Sequence, residues 1–362
     1  MIIVGTTDIP HPAIEALFTI DEETGMTGAL SLKGGLLSGK ILLNLDTEAD
    51  NELTIGCAGG IDITATGNYT QEAPGENNAA FTIAVKGLTG GHSGGDIHLG
   101  RGNANKLMNR ILLGLTKDYN IGIASINGGS LRNAIPRESV AVITAAGKDA
   151  TAITDAVSKL AATLQNEYKV TDPKLTITIV TAAVPARVMP QSFQQKLLRS
   201  LYACPNGIYR MSPEISGLVQ SSNNLARVLV TDGTYSLQCL TRSSVDSEKY
   251  DLTDAISSAF ELMDASLAFS GVYPGWEPKP DAPIVRLMTD LYEEMFHEHA
   301  HVNAVHAGLE CGILGTNYPD MEMISFGPNI TGAHSPDESA QISSVQKFWS
   351  YLQETLKRIP KA

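Results

Sequence analysis

The sequence predicts an α/β domain with a mixed sheet, joined to a separate α+β layer. Two short apolar runs, at 14–20 and 41–46, each end in acidic residues, as neighbouring strands of one parallel or mixed sheet do. From about Gly59 apolar residues alternate with polar ones, which is typical of half-buried antiparallel strands. A proline- and glycine-rich stretch at 271–280 indicates a linker back to the first kind of structure.

The order of elements in the middle of the chain supports the α+β layer. Period-two patterns predict strands at 60–66, 81–86, 121–126, 140–143, 175–180, 225–230 and 236–241. Helical periodicity predicts helices at 104–115, 153–164, 193–201 and 252–267, and beyond the linker at 284–295 and 345–359. Strands at 302–306 and 321–326 complete the α/β part. The middle segment therefore resembles a βαββαβ arrangement with helices on one face of a sheet.

Composition narrows the class of protein. The 362 residues are enough for two domains, and a net charge of −13 argues against nucleic acid or an anionic membrane as a partner. No apolar run approaches the ~18 residues of a membrane span. Four scattered cysteines without a CxxC pair make a disulfide framework or zinc ribbon a poor interpretation. We therefore expect a cytoplasmic protein.

Acidic residues at the ends of the two apolar runs are the first candidates for chemistry. Asp21, Glu22 and Glu23 are adjacent, and crowding three carboxylates is costly unless a metal, a shared proton or hydrogen bonds compensate. Asp46 ends the second run, and His334 lies between the strand at 321–326 and the last helix. Glu, Asp and His from separate strand ends are ligands that zinc or manganese uses. Solvated loop residues are the alternative interpretation.

A glycine-rich segment around His92 is the second candidate. Residues 90–96 read Gly-Gly-His-Ser-Gly-Gly-Asp and lack the Gly-Lys-Ser/Thr ending of a phosphate loop. Glycines beside an imidazole let the backbone approach a small ligand that the imidazole binds, although an exposed glycine-rich turn is equally compatible. Asn133 and Arg242 are single polar residues beside strand ends, and Arg is the usual partner of a carboxylate.

Four segments together resemble a known family. They are Asp-Glu-Glu-Thr-Gly-Met-Thr-Gly-Ala (21–29), Asn-Leu-Asp-Thr-Glu (44–48), Gly-Gly-His-Ser-Gly-Gly-Asp (90–96) and Gly-Ala-His-Ser-Pro-Asp-Glu (332–338). In order and spacing they are similar to the aminoacyl-histidine dipeptidases, the Xaa-His dipeptidases or bacterial carnosinases of the M20 metallopeptidases. The segment His-Ala-Gly-Leu-Glu-Cys-Gly (306–312) fits the same family.

The resemblance implies a domain organisation. A three-layer catalytic domain of zinc-aminopeptidase type, with a mixed sheet, would comprise residues 1–58 and 273–362. An inserted α+β lid domain would comprise residues 59–272, and in relatives such a lid can form a homodimer. These bounds agree with the change of pattern near Gly59 and with the linker.

The resemblance also implies a metal site in the catalytic domain. Glu22 would be the general base that activates a water molecule between two zinc ions, and manganese or cobalt could replace the zinc. Glu23 and His334 would hold one ion, and Asp46 the other.

The lid domain would supply the groups that bind the peptide substrate. His92 would stabilise the oxyanion of the scissile carbonyl. Asn133 and Arg242 would hold the C-terminal carboxylate of an Xaa-His or related dipeptide.

One departure from the family affects the expected activity. Relatives carry an upstream His-x-Asp and a bridging Asp, and this chain begins after both, so we expect a truncated catalytic domain and impaired hydrolysis. The alternatives are a non-catalytic peptide-binding or dimer scaffold, or another M20 activity such as a tripeptidase, carboxypeptidase or amidohydrolase. The segment 306–312 favours the dipeptidase.

Overall fold

The structure is a computed structural model that describes residues 9–331 and 337–360, without the side chains of Glu23 and Thr24. The chain forms two compact units. Unit 1 contains the chain up to Gly59, Ser212–Leu218 and the chain from Tyr273 onward, and unit 2 contains Gly60–Met211 and Val219–Val272. The interpretation of residues 1–58 and 273–362 as a catalytic domain, and of 59–272 as a lid, stays a prediction.

The described residues form the following elements. The helices are α1 (Glu22–Gly25), α2 (Thr27–Ser31), α3 (Ala104–Asp118), α4 (Ala150–Glu167), α5 (Gln191–Ala203), α6 (Asp246–Glu261), α7 (Pro283–Phe296), α8 (Glu310–Asn317) and α9 (Ile342–Arg358). The strands are β1 (Ile41–Asn44), β2 (Glu52–Cys57), β3 (Gly59–Asn68), β4 (Asn78–Lys86), β5 (Gly122–Gly128), β6 (Ser139–Ala146), β7 (Thr176–Ala182), β8 (Gly207–Met211), β9 (Val219–Thr231), β10 (Thr234–Ser243), β11 (Ser266–Tyr273), β12 (His301–Val305), β13 (Glu322–Ser325), β14 (Ile330–Thr331) and β15 (Ser339–Ala340).

Unit 1 is built on a mixed sheet with the strand order β1-β13-β2-β12. The strand β1 is parallel to β13, β12 is parallel to β2, and β13 is antiparallel to β2. Alternate residues of β1 face different layers: Ile41 and Leu43 pack with α7 and α9, whereas Leu42 packs with α8. Helices therefore cover both faces of the sheet, and the predicted α/β class with a mixed sheet is confirmed.

The strand predicted at 14–20 is wrong. These residues have no regular secondary structure, and Phe18 and Ile20 are 81% and 73% exposed. A strand needs a hydrogen-bonded neighbour, and none of the described strands pairs with this segment. The helix predicted at 252–267 is also too long, because Asp264 has a φ of 61° and Leu267 already belongs to β11.

Unit 2 is built on one large sheet with the order β11-β3-β10-β9-β5-β6-β4-β7, and β8 also pairs with β9. The elements β4-α3-β5-β6-α4-β7 form one half, and β3 with β9-β10-α6-β11 forms the other. The halves join where β5 runs antiparallel to β9. Buried residues of α3, α4, α5 and α6 share one core with the sheet, so the predicted α+β layer is confirmed.

Among the helices in the described ranges, none is both long enough and apolar enough to cross a bilayer.

Candidate active site

His92 lies in the loop between β4 and α3 of unit 2, and its imidazole has a defined tautomer. Its Nδ1 accepts hydrogen bonds from the backbone N–H groups of Gly94, at 3.2 Å, and Gly95, at 2.9 Å. A backbone N–H can only donate, so Nδ1 carries no proton and the neutral ring carries its proton on Nε2. Burial, followed by the charge of Arg242, lowers the pKa of His92, against the opposing charge of Asp96. His92 is therefore a neutral donor through Nε2.

The middle of this loop is held by a pair of opposite charges. The backbone N–H of His92 donates to Asp96 Oδ2 at 2.8 Å. Arg101 lies 3.4 Å from Asp96 and donates to the carbonyl of Gly90 at 2.6 Å. Gly91 has a φ of 135°, and a Cβ there would lie 2.3 Å from Arg101 Nη1. Glycine is required at this position for both reasons.

Both ends of the loop are fixed by Asp172, which the sequence analysis missed. Its side chain is 1% exposed. Oδ1 accepts from the backbone N–H of Thr89 at 2.8 Å, and Oδ2 accepts from Gly102 N–H and from the Thr171 hydroxyl, each at 2.8 Å. The two ends are 13 residues apart in sequence and meet at one carboxylate. No sequence pattern distinguishes Asp172 from a solvated acid after a helix.

Asn133 belongs to a second loop, which pairs with the His92 loop. Ser93 N–H donates to the carbonyl of Asn133 at 2.8 Å, and Ile135 N–H donates to that of Gly91 at 2.9 Å. His92 and Asn133 both line one cavity of about 850 Å³. The other lining residues are Gly91, Asn127, Gly128, Gly129, Ser130, Ala134, Ile135, Pro136, Arg137, Glu138 and Val140. The structure thus brings His92, predicted to be catalytic, and Asn133, predicted to bind the substrate, to one cavity.

Two arginines lie near lining residues of this cavity: Arg132 precedes Asn133, and the charge of Arg242 acts on His92. Arg132, the neighbour of Asn133, donates to the Thr64 hydroxyl at 2.7 Å and lies 3.4 Å from the Asp62 carboxylate. Burial raises the pKa of Asp62, and the charges of Arg132 and Arg242 oppose that rise. Arg242 is buried in β10. Its charge acts on both His92 and Asp62, so Arg242 is close to the predicted site.

In unit 1, Asp46 follows the end of β1 and is exposed. Because β1 and β13 are parallel, with Asn44 opposite Ser325, the chain leaves both strands at the same edge of the sheet. The Asn44 side chain accepts from the backbone N–H of Asp46 at 3.2 Å and from the Ser325 hydroxyl at 2.6 Å. This arrangement fixes the backbone that carries Asp46.

The segments that follow β1 and β13 continue side by side beyond these strands. Asp50 N–H donates to Asn329 Oδ1 at 2.8 Å, and Asn329 Nδ2 donates to Asp50 Oδ2 at 3.1 Å. A Cβ at Gly327 would lie 2.0 Å from the carbonyl oxygen of Thr47, so only glycine permits this approach. The segment after β13 leads in sequence to the predicted ligand His334, which lies outside the described residues.

The acidic triplet lies on a short helix rather than at a strand end. Glu22 is the first residue of α1, between Asp21, with a φ of 59°, and Met26, with a φ of 51°. The Thr27 hydroxyl donates to Asp21 Oδ2 at 2.8 Å. The side chain of Glu23, the neighbouring predicted ligand, is outside the described part.

Glu310 is a further residue of unit 1 to which sequence reasoning assigned no role. It begins α8, is 8% exposed, and accepts at Oε2 from the Thr19 hydroxyl at 2.8 Å. Burial, then the charges of Cys57, Asp46 and Glu310, raise the pKa of the Cys311 thiol well above its usual value. Glu310 and Asp46 therefore both lie near Cys311. The Thr19 that donates to Glu310 precedes the acidic residues 21–23 in the sequence. Its place in the segment 306–312 was the available signal.

A metal site requires several ligands that converge. Carboxylates and a histidine at the predicted positions are of the right chemical types for zinc or manganese. Within residues 9–331 and 337–360, however, no three His, Cys, Asp or Glu side chains form a group that could hold a metal ion. Since the Glu23 side chain and His334 are not among those described, the fit depends on donor chemistry and on the common sheet edge.

Comparison with known proteins gives consistent matches. Residues 83–172 match the M20 peptidase dimerisation domain. A cytosol non-specific dipeptidase of Escherichia coli (strain K12) is 38% identical over 358 residues, or 99% of this chain and 74% of that protein. The crystal structure of an aminoacylhistidine dipeptidase from Vibrio alginolyticus has a TM-score of 0.95 and 39% identity, and covers 99% of this chain and 74% of that one. The chain therefore belongs to the aminoacyl-histidine dipeptidase family of M20 metallopeptidases, a family of enzymes.

Proposed function

We propose that this protein is a metal-dependent dipeptidase that hydrolyses Xaa-His and related dipeptides. The observation that carries the proposal is the cavity of unit 2, where the neutral His92 and Asn133 line one space. A cavity of about 850 Å³ is within the usual range for small-molecule sites. The names of the two relatives support the substrate class.

The proposed reaction assigns one task to each residue. Glu22 takes a proton from the attacking water, whose oxygen bonds to the carbonyl carbon. His92 donates from Nε2 to the oxygen that becomes negative as the tetrahedral species forms. The C–N bond then breaks, and the proton held by Glu22 passes to the leaving amine.

Substrate orientation is assigned to Asn133 and Arg242. An amide donor and a guanidinium are suited to the C-terminal carboxylate of a dipeptide, since charge-assisted hydrogen bonds to a carboxylate are strong and directional. Asn133 lines the cavity, and Arg242 lies close enough to act electrostatically on His92. Both facts support a shared binding role.

Glu23, Asp46 and His334 are the proposed metal ligands, for two zinc ions or for manganese or cobalt in their place. When bound, a divalent metal lowers the pKa of water and polarises a carbonyl. The segments that follow β1 and β13 are adjacent, which supports a common location for Asp46 and the segment leading to His334.

We further propose that residues 1–58 and 273–362 act as the catalytic domain and residues 59–272 as a lid domain. The dimerisation-domain match over residues 83–172 supports a homodimer formed through the lid. The name of the Escherichia coli relative supports a cytoplasmic location.

A substrate panel tests the proposal. L-Ala-L-His should be hydrolysed in preference to L-Ala-L-His amide, because the amide lacks the carboxylate assigned to Asn133 and Arg242. The substitution Glu22→Gln should lower kcat by about 10²–10⁴-fold, the usual contribution of general base catalysis. The exposed Glu298 in the same unit provides a matched control, Glu298→Gln, which should leave kcat unchanged.

Two results would contradict the proposal. One is peptide binding without hydrolysis in the unmodified chain, which would favour a non-catalytic scaffold. The other is faster hydrolysis of the amide or of tripeptides, which would favour a different M20 activity.

A further inference from the structure

The carboxylate of Glu310 is buried and only half satisfied. Its Oε2 accepts from the Thr19 hydroxyl at 2.8 Å, whereas Oε1 has no hydrogen-bond partner within residues 9–331 and 337–360. The side chain is 8% exposed, so water replaces few of the missing contacts. An unpaired buried carboxylate costs several kcal/mol and is not explained by the packing of unit 1.

The surroundings of Glu310 are acidic. Asp46 and Glu310 both act electrostatically on the Cys311 thiol, so the two carboxylates are near neighbours of the same group. Because Asp46 is assigned to a metal ion, the charge of the buried Glu310 is the one left to attract a cation rather than a neutral or anionic group. Among the described residues, the hydrogen bond that the Glu310 side chain accepts comes from a neutral hydroxyl, which does not compensate its charge.

We propose that Glu310 binds the free α-ammonium group of the dipeptide through Oε1. An ammonium group supplies both the missing donor and the missing positive charge, and a dipeptide with an N-terminal α-amino acid carries one two bonds from its scissile carbonyl carbon. This assignment adds a substrate-binding residue to the proposed function and rests on that function. It makes Glu310 a specificity residue, which selects peptides with an unblocked N-terminus.

The test measures binding in a chain that carries Glu22→Gln, so that the peptide is not consumed. Calorimetry gives the Kd of L-Ala-L-His and of N-acetyl-L-Ala-L-His, with zinc saturating. The free peptide should bind about 10- to 100-fold more tightly, the range for one charge-assisted hydrogen bond. Adding Glu310→Gln should remove that preference without weakening the acetylated peptide. Adding Glu298→Gln instead should preserve it.

A structural role for Glu310 predicts different results. Glutamine can still accept from the Thr19 hydroxyl, so Glu310→Gln should not lower the midpoint of thermal unfolding. Equal weakening of both peptides, or an unchanged preference, would overturn the assignment. A drop in zinc stoichiometry would overturn it as well, by making Glu310 a metal ligand. Thr19→Val provides a milder variant, expected to reduce the preference only partly.

The outcomes separate this inference from the proposed function. If the unmodified chain fails to hydrolyse L-Ala-L-His while the Glu310-dependent preference persists, the proposed function is wrong and the ammonium site stands. If hydrolysis occurs and the preference does not depend on Glu310, only this inference is wrong. If L-Ala-L-His does not bind at all, both are wrong.

Discussion

Two buried carboxylates, Asp172 in unit 2 and Glu310 in unit 1, contrast with each other. Asp172 accepts three hydrogen bonds, so both of its oxygens are occupied. Glu310 accepts one, and no described residue donates to its other oxygen. Both side chains are more than nine-tenths buried, so burial alone does not separate their roles.

The difference lies in what the protein itself supplies. The donors of Asp172 are backbone N–H groups at the two ends of the His92 loop and the hydroxyl of the neighbouring Thr171, so its charge is compensated in the folded chain. The part of the chain that the structure describes provides no such donor for Glu310 Oε1. A fully satisfied buried carboxylate therefore indicates a structural role, and a half-satisfied one beside a candidate site indicates binding.

The largest effect is expected for Asp172→Asn. The asparagine Nδ2 would face a backbone N–H that now donates to a carboxylate oxygen, and one such unsatisfied buried donor costs about 1–3 kcal/mol. The free energy of unfolding should fall by that amount. The released loop should also misplace His92, so kcat should fall about 10- to 100-fold while KM changes little.

Urea unfolding and steady-state kinetics check this prediction. The exposed Asp155 on α4 provides a matched control, and Asp155→Asn should leave both quantities unchanged. If Asp172→Asn proved as stable as the unmodified chain, the contrast with Glu310→Gln would disappear, and three hydrogen bonds would not define a structural carboxylate.

A smaller effect is expected from the pH dependence of stability. The pKa of His92 is lowered in the folded chain, by burial first and then by Arg242, with Asp96 acting against the shift. As the pH falls through the ordinary histidine value of about 6.5, the unfolded chain takes up a proton before folded His92 does. Stability present above that value is therefore lost as the pH falls toward the folded pKa of His92.

The comparison of pH 8 with pH 5.5 in urea unfolding measures this loss. The unmodified chain should lose more free energy of unfolding than His92→Gln. The control is His98→Gln, at an exposed position in the same loop, which should lose as much as the unmodified chain. Equal losses in the unmodified chain and His92→Gln would show that the loop does not hold His92 neutral.

The sequence predicted much of the fold, because periodicity reports directly which face of an element is buried. The run at 41–46 predicted β1, and alternation from Gly59 predicted the sheet of unit 2. The run at 14–20 was misread, since apolar residues indicate burial only when a neighbouring strand is present to cover them. Phe18 and Ile20 remain exposed instead.

The candidate site was predictable where a motif carries its own chemistry. His92 stands in a recognisable glycine-rich segment, the role of Asn133 came from the family resemblance, and the structure brings both to one cavity. Asp172 and Glu310 were missed because their roles depend on hydrogen bonds between residues distant in sequence. Thr19 and Glu310, for example, are 291 residues apart.

The central claim is that this protein hydrolyses dipeptides with a metal bound by residues such as Asp46. The most direct measurement removes metal with a chelator and then follows L-Ala-L-His hydrolysis while zinc is titrated back. We expect hydrolysis to be lost on chelation and to return with zinc, reaching its plateau near two equivalents per chain. Hydrolysis that persists at full rate in the metal-free protein would contradict it.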